Sequence, residues 1–347
     1  MQRFGTASIP THAIGLALLR SDWAKAIDMI LRPRPGETPE IQEARLAWAV
    51  EKNLDKALQL MPRRVVAERC ILESFQRMGN TRNMLGALST IPRNLRMMYV
   101  HAYQSYVWNA VVSERIRRYG HEKPIVGDIV YEEKLTDGDQ SEASSPGAAP
   151  SKKQKSSGKK PPRQVKVLTE DDVNQYTIYD VLMPLPGTDV AYPGGELGEL
   201  YRQFLKEDGL NPSDFNRKQR EYSLAGSYRK IVHLPKLVSW SLLRYTDPEL
   251  PLAQSDEDGI LGIEPPQTEE SGKFLALQIR LQLGTASYAT MALREITKVD
   301  TSTHVQTLLT VTSEDQEYKG AGGTEMEGVA GSELMNEVEE AEAVALE

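Results

Sequence analysis

The chain of 347 residues is long enough for two domains, and 40% hydrophobic with 26% charged residues is an ordinary composition for a folded protein. A single cysteine, Cys70, excludes an internal disulfide and a metal site built from several cysteines. No run approaches the ~18 apolar residues that a membrane span needs, and the N-terminus lacks the apolar core of a secretory signal. We therefore expect an intracellular, soluble protein with no membrane partner.

The net charge of −8 is unevenly distributed along the chain. Residues 314–347 hold 11 acidic residues and one lysine, which leaves residues 1–313 with a charge of +2. The window from Arg63 to Arg118 contains ten arginines, three glutamates and no lysine. Guanidinium groups contact phosphates in a bidentate manner and stack on bases, so RNA is a candidate partner. Solvated helix faces are the alternative explanation of the same charges.

Residues 12–120 predict a series of helices with short connections at proline and glycine positions. The clearest helix runs from Asn94, as its N-cap, to Arg118. Its apolar residues repeat at helical spacing and predict one buried stripe, off which Gln104 and Tyr106 lie. The members of this stripe are Met98, Tyr99, Tyr103, Val107, Trp108, Val111, Val112 and Ile116.

This tyrosine-rich helix is flanked by arginines and can present stacking and hydrogen-bonding groups to unpaired RNA bases. Its tyrosines can equally be core residues whose hydroxyls are satisfied, and that alternative stays open. The candidates for RNA contact are Arg93, Arg96, Tyr106, Arg117 and Arg118.

Two segments predict disorder because they hold almost no residue that can be buried. The first, 132–162, passes from an acidic patch through a Ser-Pro-Gly-Ala stretch into lysine clusters at 152–155 and 159–160. These clusters predict either a nuclear import signal or a phosphate-binding arm, and a charge-balanced flexible loop is the alternative. The second segment is the acidic tail, 313–347.

The remaining sequence mixes strands and helices without a regular βαβ alternation, which predicts an α+β fold. Strands on either side of the insertion predict a hairpin whose tip carries it, and the strand from Leu275 to Leu283 shows the period-two pattern of a half-buried strand. The predicted strands are 126–131, 165–168, 180–186, 230–234, 238–243 and 275–283, and the predicted helices are 197–205 and 287–298, with a second segment at 216–224. Residues 247–272 predict a long loop.

The chemical signatures of common enzymes are missing from the sequence. There is no phosphate-binding Gly-x-x-x-x-Gly-Lys-Ser/Thr loop, no Gly-x-Gly-x-x-Gly motif, no His-Glu-x-x-His and no Gly-x-Ser-x-Gly. The five histidines are too scattered to predict a metal site by spacing, and His101, on the tyrosine-rich helix, is the one in a notable setting.

Six short segments resemble motifs of the TruD family of RNA pseudouridine synthases, in its eukaryotic branch. They are MQRFG at 1–5, IPRN at 91–94, YVHAYQSYVWN at 99–109, MPLPG at 183–187, LAGSYRKI at 224–231 and SYATMALRE at 287–295. The resemblance covers roughly residues 1–312. It implies conversion of uridine to pseudouridine in RNA without a cofactor or a metal, by one aspartate in a catalytic domain that a large helical domain interrupts. The target nucleotide must be flipped out of its stack for this chemistry.

The resemblance also implies a domain organisation. Residues 1–11 are the end of a catalytic-domain motif, 12–235 the mainly helical TRUD insertion domain, and 236–312 the C-terminal part of a mixed-sheet catalytic domain, followed by the tail. It implies RNA as the partner, with tRNA as the first candidate and mRNA and snRNA as further ones. The lysine clusters favour the nucleus over the cytoplasm.

The sequence departs from the family pattern at its start. The family's catalytic aspartate belongs to a Gly-x-Lys-Asp type of segment, and no Lys-Asp pair occurs in these 347 residues. We therefore expect the nucleophile upstream of Met1. By resemblance, Gln2, Arg3 and Phe4 support the active site, and Arg3 is the candidate for orienting the missing carboxylate.

Two residues of the C-terminal motif receive roles from the resemblance. Tyr288 is similar to the residue that lines the uracil pocket, and Arg294 supports the motif. An intrahelical or inter-element ion pair is the structural alternative for Arg294 and Glu295. The sequence thus favours an RNA pseudouridine synthase present as an inactive portion. A non-catalytic RNA-binding protein built on the TRUD domain is the alternative, and a helical protein-interaction scaffold is the third reading.

Overall fold

The computed structural model describes residues 9–34, 37–132, 164–284, 287–301, 303–311 and 313–315. The chain divides into two compact units. The first comprises Met1–Pro235 with Leu283–Val299, and the second comprises Lys236–Gln282 with Asp300–Glu347. Among the described residues, no helix combines the length and apolar character needed to cross a membrane. The assignment of these units to the domains of the family stays a prediction.

The first unit is mainly helical, as the sequence predicts for residues 12–120. Short helices arise because polar caps start them at close intervals: the side chains of Asp22, Asn53 and Asn83 each accept a backbone N–H three residues ahead. The helices of this unit are α1 (Thr11–Leu19), α2 (Trp23–Leu31), α3 (Pro39–Ala49), α4 (Leu54–Leu60), α5 (Val66–Met78), α6 (Met84–Ser89), α7 (Arg93–Tyr119), α8 (Gly195–Glu207) and, near the end of the chain, α10 (Ala289–Thr297).

Helix α7 is the long central helix of this unit, and it ends at Gly120. The predicted N-cap at Asn94 is wrong: Pro92 holds that position, because a residue without an N–H fits ahead of the first helical turn. The predicted single stripe is also too narrow. Gln104, which is predicted off the stripe, is buried, and Met98, which is predicted on it, is exposed; α7 packs against α1, α8 and a strand.

A four-stranded antiparallel sheet lies beside α7, with the strand order β2-β1-β3-β4. The predicted hairpin is confirmed, since Ile129 lies opposite Val167 and Tyr131 lies opposite Val165. The predicted insertion at its tip lies outside the described residues, apart from residue 132. The strands are β1 (Ile129–Tyr131), β2 (Val165–Val167), β3 (Leu182–Leu185) and β4 (Ser227–Lys230).

Two predictions in this region need correction. The strand expected at 230–234 lies at Ser227–Lys230, where it pairs with β3, so the sheet register sets its position. The segment expected at 216–224 forms only a short 3₁₀ turn, Arg220–Tyr222, in an irregular stretch that Arg217 ties to α1 through its 2.8 Å hydrogen bond to the Leu19 carbonyl.

Buried arginines hold the helices of the first unit together. Arg45 lies 2.8 Å from the Glu37 carboxylate and 2.7 Å from that of Glu68, which connects α3 to α5. Arg115 and Asp128 form a fully buried pair at 2.7 Å and join the end of α7 to the start of β1. Because both partners of each pair are shielded from water, loss of one partner leaves a buried charge behind.

The second unit contains a two-stranded antiparallel sheet of β5 (Lys236–Tyr245) and β6 (Phe274–Gln282), with α9 (Asp256–Ile260) in the connection and α11 (Thr303–Val311) after it. Both predicted strands are confirmed, and the predicted loop contains the short helix α9. The half-buried pattern predicted for β6 is wrong at Leu275 and Leu277, which are exposed. The alternation is present, but no layer among the described residues covers these two side chains.

Candidate functional site

Two side chains of α7 donate hydrogen bonds to strand β3 and to the residue after it, beyond the one position where β1 pairs with β3. Gln104 Nε2 donates to the Pro186 carbonyl over 2.7 Å, and Trp108 Nε1 donates to the Met183 carbonyl over 3.1 Å. Both side chains are buried, and β1 pairs with β3 at one position only, so side-chain donors take the place of a neighbouring strand. Two of the family-like segments therefore meet at this edge.

A third family-like segment packs against the turn after β3. A Cβ added to Gly187 would lie 2.1 Å from the backbone nitrogen of Gly226, so the two chains approach too closely for any side chain at Gly187. Asp189 N donates to the Ala225 carbonyl over 2.8 Å, and Tyr201 of α8 donates to the strand through its hydroxyl. We call this meeting point of segments 99–109, 183–187 and 224–231 the motif junction.

His101 lies at the motif junction, and its proton can be assigned from its neighbour. Its Nδ1 is 2.9 Å from Gln104 Oε1. Because the Gln104 amide nitrogen donates to Pro186, the oxygen faces the imidazole, and Nδ1 must be the donor. The other ring nitrogen, Nε2, is buried and has no hydrogen-bond partner in the part of the chain that the structure describes. The His101 ring is thereby linked through the Gln104 amide to the turn after β3.

Arg96 is buried, which corrects its prediction as an RNA-contacting residue. Its guanidinium lies 2.7 Å from the Glu221 carboxylate, donates to the Leu88 carbonyl over 3.3 Å, and stands 5.8 Å from the centroid of the Tyr222 ring. The side chain is 6% exposed. Arg96 thus joins α7 to the Arg220–Tyr222 turn and presents no group to a phosphate.

Tyr106 is half-buried beside two other rings, and its contact with RNA stays a prediction. The His12 ring lies parallel to it with centroids 4.0 Å apart, and the Phe204 ring lies 5.6 Å away. Burial lowers the pKa of His12, and the nearby Asp208 carboxylate opposes that shift. These ring contacts join α1, α7 and α8, so Tyr106 has a packing role within the first unit.

The other three arginine candidates lie on the surface, at the two ends of α7. Arg93 is the first residue of the helix and has an interaction of its own. Arg117 and Arg118 both pair with Glu114, and their hydrogen bonds lower the pKa of that carboxyl to about 2. The Arg117 side chain is 69% exposed. These arginines are accessible to a polyanion, although Glu114 competes for two of them.

The residues of the C-terminal motif lie at the start of helix α10. Tyr288 is the N-cap residue and is 39% exposed. Arg294 is exposed on the helix and engages in an interaction of its own, while Glu295 pairs with Lys298 at 2.5 Å. An open tyrosine at a helix start can present its ring to a ligand. Gln2, Arg3 and Phe4, the remaining support residues of the resemblance, lie outside the described residues.

The described residues contain no cluster of three or more histidine, cysteine, aspartate or glutamate side chains placed to hold a metal ion. The sequence did not predict the central role of Gln104, because a glutamine outside an apolar stripe reads as a surface residue. Its position between two tyrosines of the family-like segment 99–109 was the one available signal.

Comparisons with known proteins agree with the resemblance. A family model described as tRNA pseudouridine synthase D (TruD) matches residues 1–296. Over 313 residues, 90% of this chain, the sequence is 41% identical to the human pseudouridylate synthase 7 homolog and covers 43% of that protein. Over 311 residues, 89% of this chain, it is 40% identical to the multisubstrate pseudouridine synthase 7 of Schizosaccharomyces pombe and covers 45% of it.

A solved structure supports the same fold. The tRNA pseudouridine synthase D of Methanosarcina mazei matches with a TM-score of 0.57 and 24% identity, over 84% of this chain and 58% of that one. The chain spans less than half the length of the curated relatives described above. The extent of the family match and the identity to these relatives show that the chain belongs to the TruD family of pseudouridine synthases.

Proposed function

We propose that this chain is part of an RNA pseudouridine synthase. The observation that carries the proposal is the 40–41% identity, over about nine tenths of the chain, to proteins named as pseudouridine or pseudouridylate synthases. The motif junction adds support, because three separate family-like segments fold into one buried contact. The reaction class is the isomerisation of uridine to pseudouridine, in which the bond from the ribose to N1 of the base is replaced by a bond to C5.

The nucleophilic aspartate of this proposal lies outside residues 1–347. No Lys-Asp pair occurs in the sequence, and three of the described aspartates have structural contacts of their own. Asp22 caps α2, Asp128 pairs with buried Arg115, and Asp180 caps its own short turn. None of these carboxylates is placed to attack a nucleotide, so the chain alone is expected to be inactive.

RNA is the proposed substrate, with tRNA as the first candidate and mRNA and snRNA as further ones. The family description names tRNA, and the Schizosaccharomyces pombe relative is named as multisubstrate. Surface arginines at the ends of α7 would contact phosphates, and Tyr288 would face the target base. We also propose nuclear residence in preference to cytoplasmic residence, on the lysine clusters at 152–155 and 159–160.

The activity is tested with RNA that carries tritium at C5 of uridine, because formation of the new carbon bond releases that hydrogen. Residues 1–347 alone should release no tritium, and the longer native protein should release it. Release by residues 1–347 alone would show that the nucleophile lies within the chain. Absence of release from the longer protein, on total tRNA and on messenger RNA from the source cells, would contradict the proposed function.

A non-catalytic RNA-binding protein is the second candidate, and the arginine-rich window favours it. Both candidates predict RNA binding that weakens steeply with salt. They differ in what they predict for the longer native protein. Under the first candidate it binds RNA and releases tritium, and under the second it binds RNA and releases none. Nuclear residence is tested separately, by the distribution of a fluorescent fusion before and after replacement of the lysines at 152–155 and 159–160.

A further inference from the structure

The connection between β5 and β6 is attached to both strands that it joins. We call this connection, residues 247–272, the acidic loop. The Thr268 hydroxyl of the loop accepts the backbone N–H of Arg244 in β5 over 2.8 Å. From β6, Gln278 Nε2 donates to the Leu252 carbonyl of the loop over 3.0 Å. These bonds anchor the loop on either side of helix α9, which lies in its middle.

Helix α9 is closed by hydrogen bonds at both of its ends. The Ser255 hydroxyl accepts the backbone N–H of Asp258 over 3.1 Å, and the Ser255 N–H donates to the Asp258 carboxylate over 2.8 Å. At the other end, Gly262 adopts a φ of +73°, and Ile263 N donates back to the Asp258 carbonyl over 2.9 Å. Because both ends are capped, the residues at the end of α9 are held in a defined arrangement.

Three large aliphatic side chains at the C-terminal end of α9 face solvent. Ile260 is 86% exposed, Leu261 is 67% exposed and Ile263 is 52% exposed, so no part of the described chain covers them. They occupy three of four consecutive positions and therefore form one apolar patch, which we call the aliphatic tip. Exposed apolar patches on folded proteins mark binding surfaces, because their contact with water is unfavourable.

The charge around the aliphatic tip indicates what kind of partner can bind it. The acidic loop contains eight acidic residues and no basic residue. Asp256, Glu257 and Glu264 flank the tip and are exposed. This negative charge repels the phosphates of RNA and the anionic headgroups of a membrane. An apolar centre within a charged rim is the anatomy of a protein–protein interface, and the complement of an acidic rim is a basic one.

We propose that the aliphatic tip docks into an apolar pocket of a second protein whose rim carries lysine or arginine side chains. The tip supplies the part of the contact that loses its water, with Ile260 as the anchor, and the acidic loop pairs with the basic rim. The caps of α9 hold the tip in place before the partner arrives, which reduces the entropy lost on binding. The contact is separate from the uridine chemistry of the proposed function and does not depend on it.

Site-specific cross-linking in the longer native protein tests this inference in the source cells. The substitution Ile260→p-benzoylphenylalanine places a photoreactive side chain at the tip, and mass spectrometry identifies the peptide to which it is joined. The same replacement at Val50, a 72% exposed apolar residue of the first unit, is the matched control. We expect a protein adduct formed from position 260 alone, at an apolar pocket with lysine or arginine residues on its rim.

The affinity of the identified protein for the longer native protein is then measured after purification of both. Ile260→Asp and Leu261→Asp should each weaken the complex by about tenfold or more, because a charge replaces an apolar anchor. The double variant Asp256→Asn with Glu257→Gln should reduce the salt dependence of the affinity. Val50→Asp should leave the affinity unchanged. All these variants should keep the thermal midpoint of the wild-type protein, because the changed side chains are exposed.

Several results would overturn the inference. A position 260 that gives no more protein adduct than position 50 would leave the tip without a partner. An adduct with RNA or lipid would assign the tip to another class of ligand, and an adduct within the same polypeptide or with a second copy would make the synthase itself the occupant. A pocket without basic residues, or an affinity that Ile260→Asp and Leu261→Asp leave unchanged, would equally contradict the proposed contact.

Discussion

Gln104 donates through its amide nitrogen to the carbonyl of Pro186, over 2.7 Å in a buried setting. This hydrogen bond joins the tyrosine-rich helix to the residue that follows β3. It also orients the Gln104 amide so that its oxygen faces the imidazole of His101. The substitution Gln104→Leu keeps the side-chain volume but leaves the Pro186 carbonyl and the His101 imidazole without this hydrogen-bond partner. We expect a loss of about 1–3 kcal/mol in the free energy of unfolding, measured with urea.

A surface glutamine on α8 provides the control for that substitution. Exposed Gln203 bonds to exposed Glu207 on its own helix, so Gln203→Leu should change the free energy of unfolding by less than about 0.5 kcal/mol. Equal effects at the two glutamines would contradict the structural role given to Gln104.

Two buried tyrosines should respond differently to loss of their hydroxyls. Tyr201 donates to the Pro184 carbonyl over 2.8 Å, whereas the Tyr222 hydroxyl has no partner among the described residues. We expect Tyr201→Phe to cost about 1–3 kcal/mol and Tyr222→Phe to be neutral or stabilising. Thermal and urea unfolding of the two variants check this. A large loss for Tyr222→Phe would mean that its hydroxyl is bound, for example by internal water.

The Arg115–Asp128 pair should be far more important for stability than a surface pair. Arg115→Met leaves the Asp128 carboxylate buried without its charge partner, which should cost about 3–5 kcal/mol. Arg202→Met removes an exposed pair with Glu199 and should cost at most about 1 kcal/mol. Denaturant titration of both variants gives the comparison, and losses of similar size would show that burial of the pair has been overestimated.

The stack of His12 on Tyr106 predicts a dependence of stability on pH. Burial lowers the pKa of His12 in the folded chain, so the unfolded chain binds a proton more readily just below the ordinary value of 6.5. The contribution of His12 to stability is therefore present above that value and is lost as the pH falls through it. His12→Phe keeps the stacked ring without a titrating group and should flatten this part of the curve. Parallel curves for the two proteins between about pH 7.5 and pH 5.5 would contradict the account.

Arg96 and Arg93, both predicted from sequence to bind RNA, should separate in their behaviour. Arg96→Ala removes the buried partner of Glu221 and should lower stability, whereas Arg93→Ala should leave folding intact. Under the proposed function, the double variant Arg93→Ala with Arg117→Ala should weaken RNA binding and reduce its salt dependence. Filter binding at several salt concentrations measures this, and an unchanged salt slope would remove the ends of α7 from the interface.

Local patterns predicted the elements of the fold well, and long-range contacts set the limits. The hairpin at Ile129 and Val167 and the helix ending at Gly120 follow from residue spacing and from glycine chemistry. The roles of Gln104 and Arg96 do not, because their partners lie 82 and 125 residues further along the chain. An arginine whose acidic partner is so distant cannot be told from a phosphate-binding one by its neighbours in sequence.

The same limit applies to the exposure of β6. Its alternation predicted burial of Leu275 and Leu277, but spacing along a strand does not show whether another layer covers that face of the sheet. Family resemblance was more informative than local pattern about the site, because it singled out segments 99–109, 183–187 and 224–231, and the structure brings these together at the motif junction.

The most direct test of the central claim is the N-terminal sequence of the native protein, determined by intact mass and peptide mapping from the source cells. We predict peptides that extend upstream of Met1 through a segment containing Lys-Asp. A mature protein that begins at Met1 would contradict the claim, because the family reaction would then have no nucleophile, and RNA binding without chemistry would be the function to test.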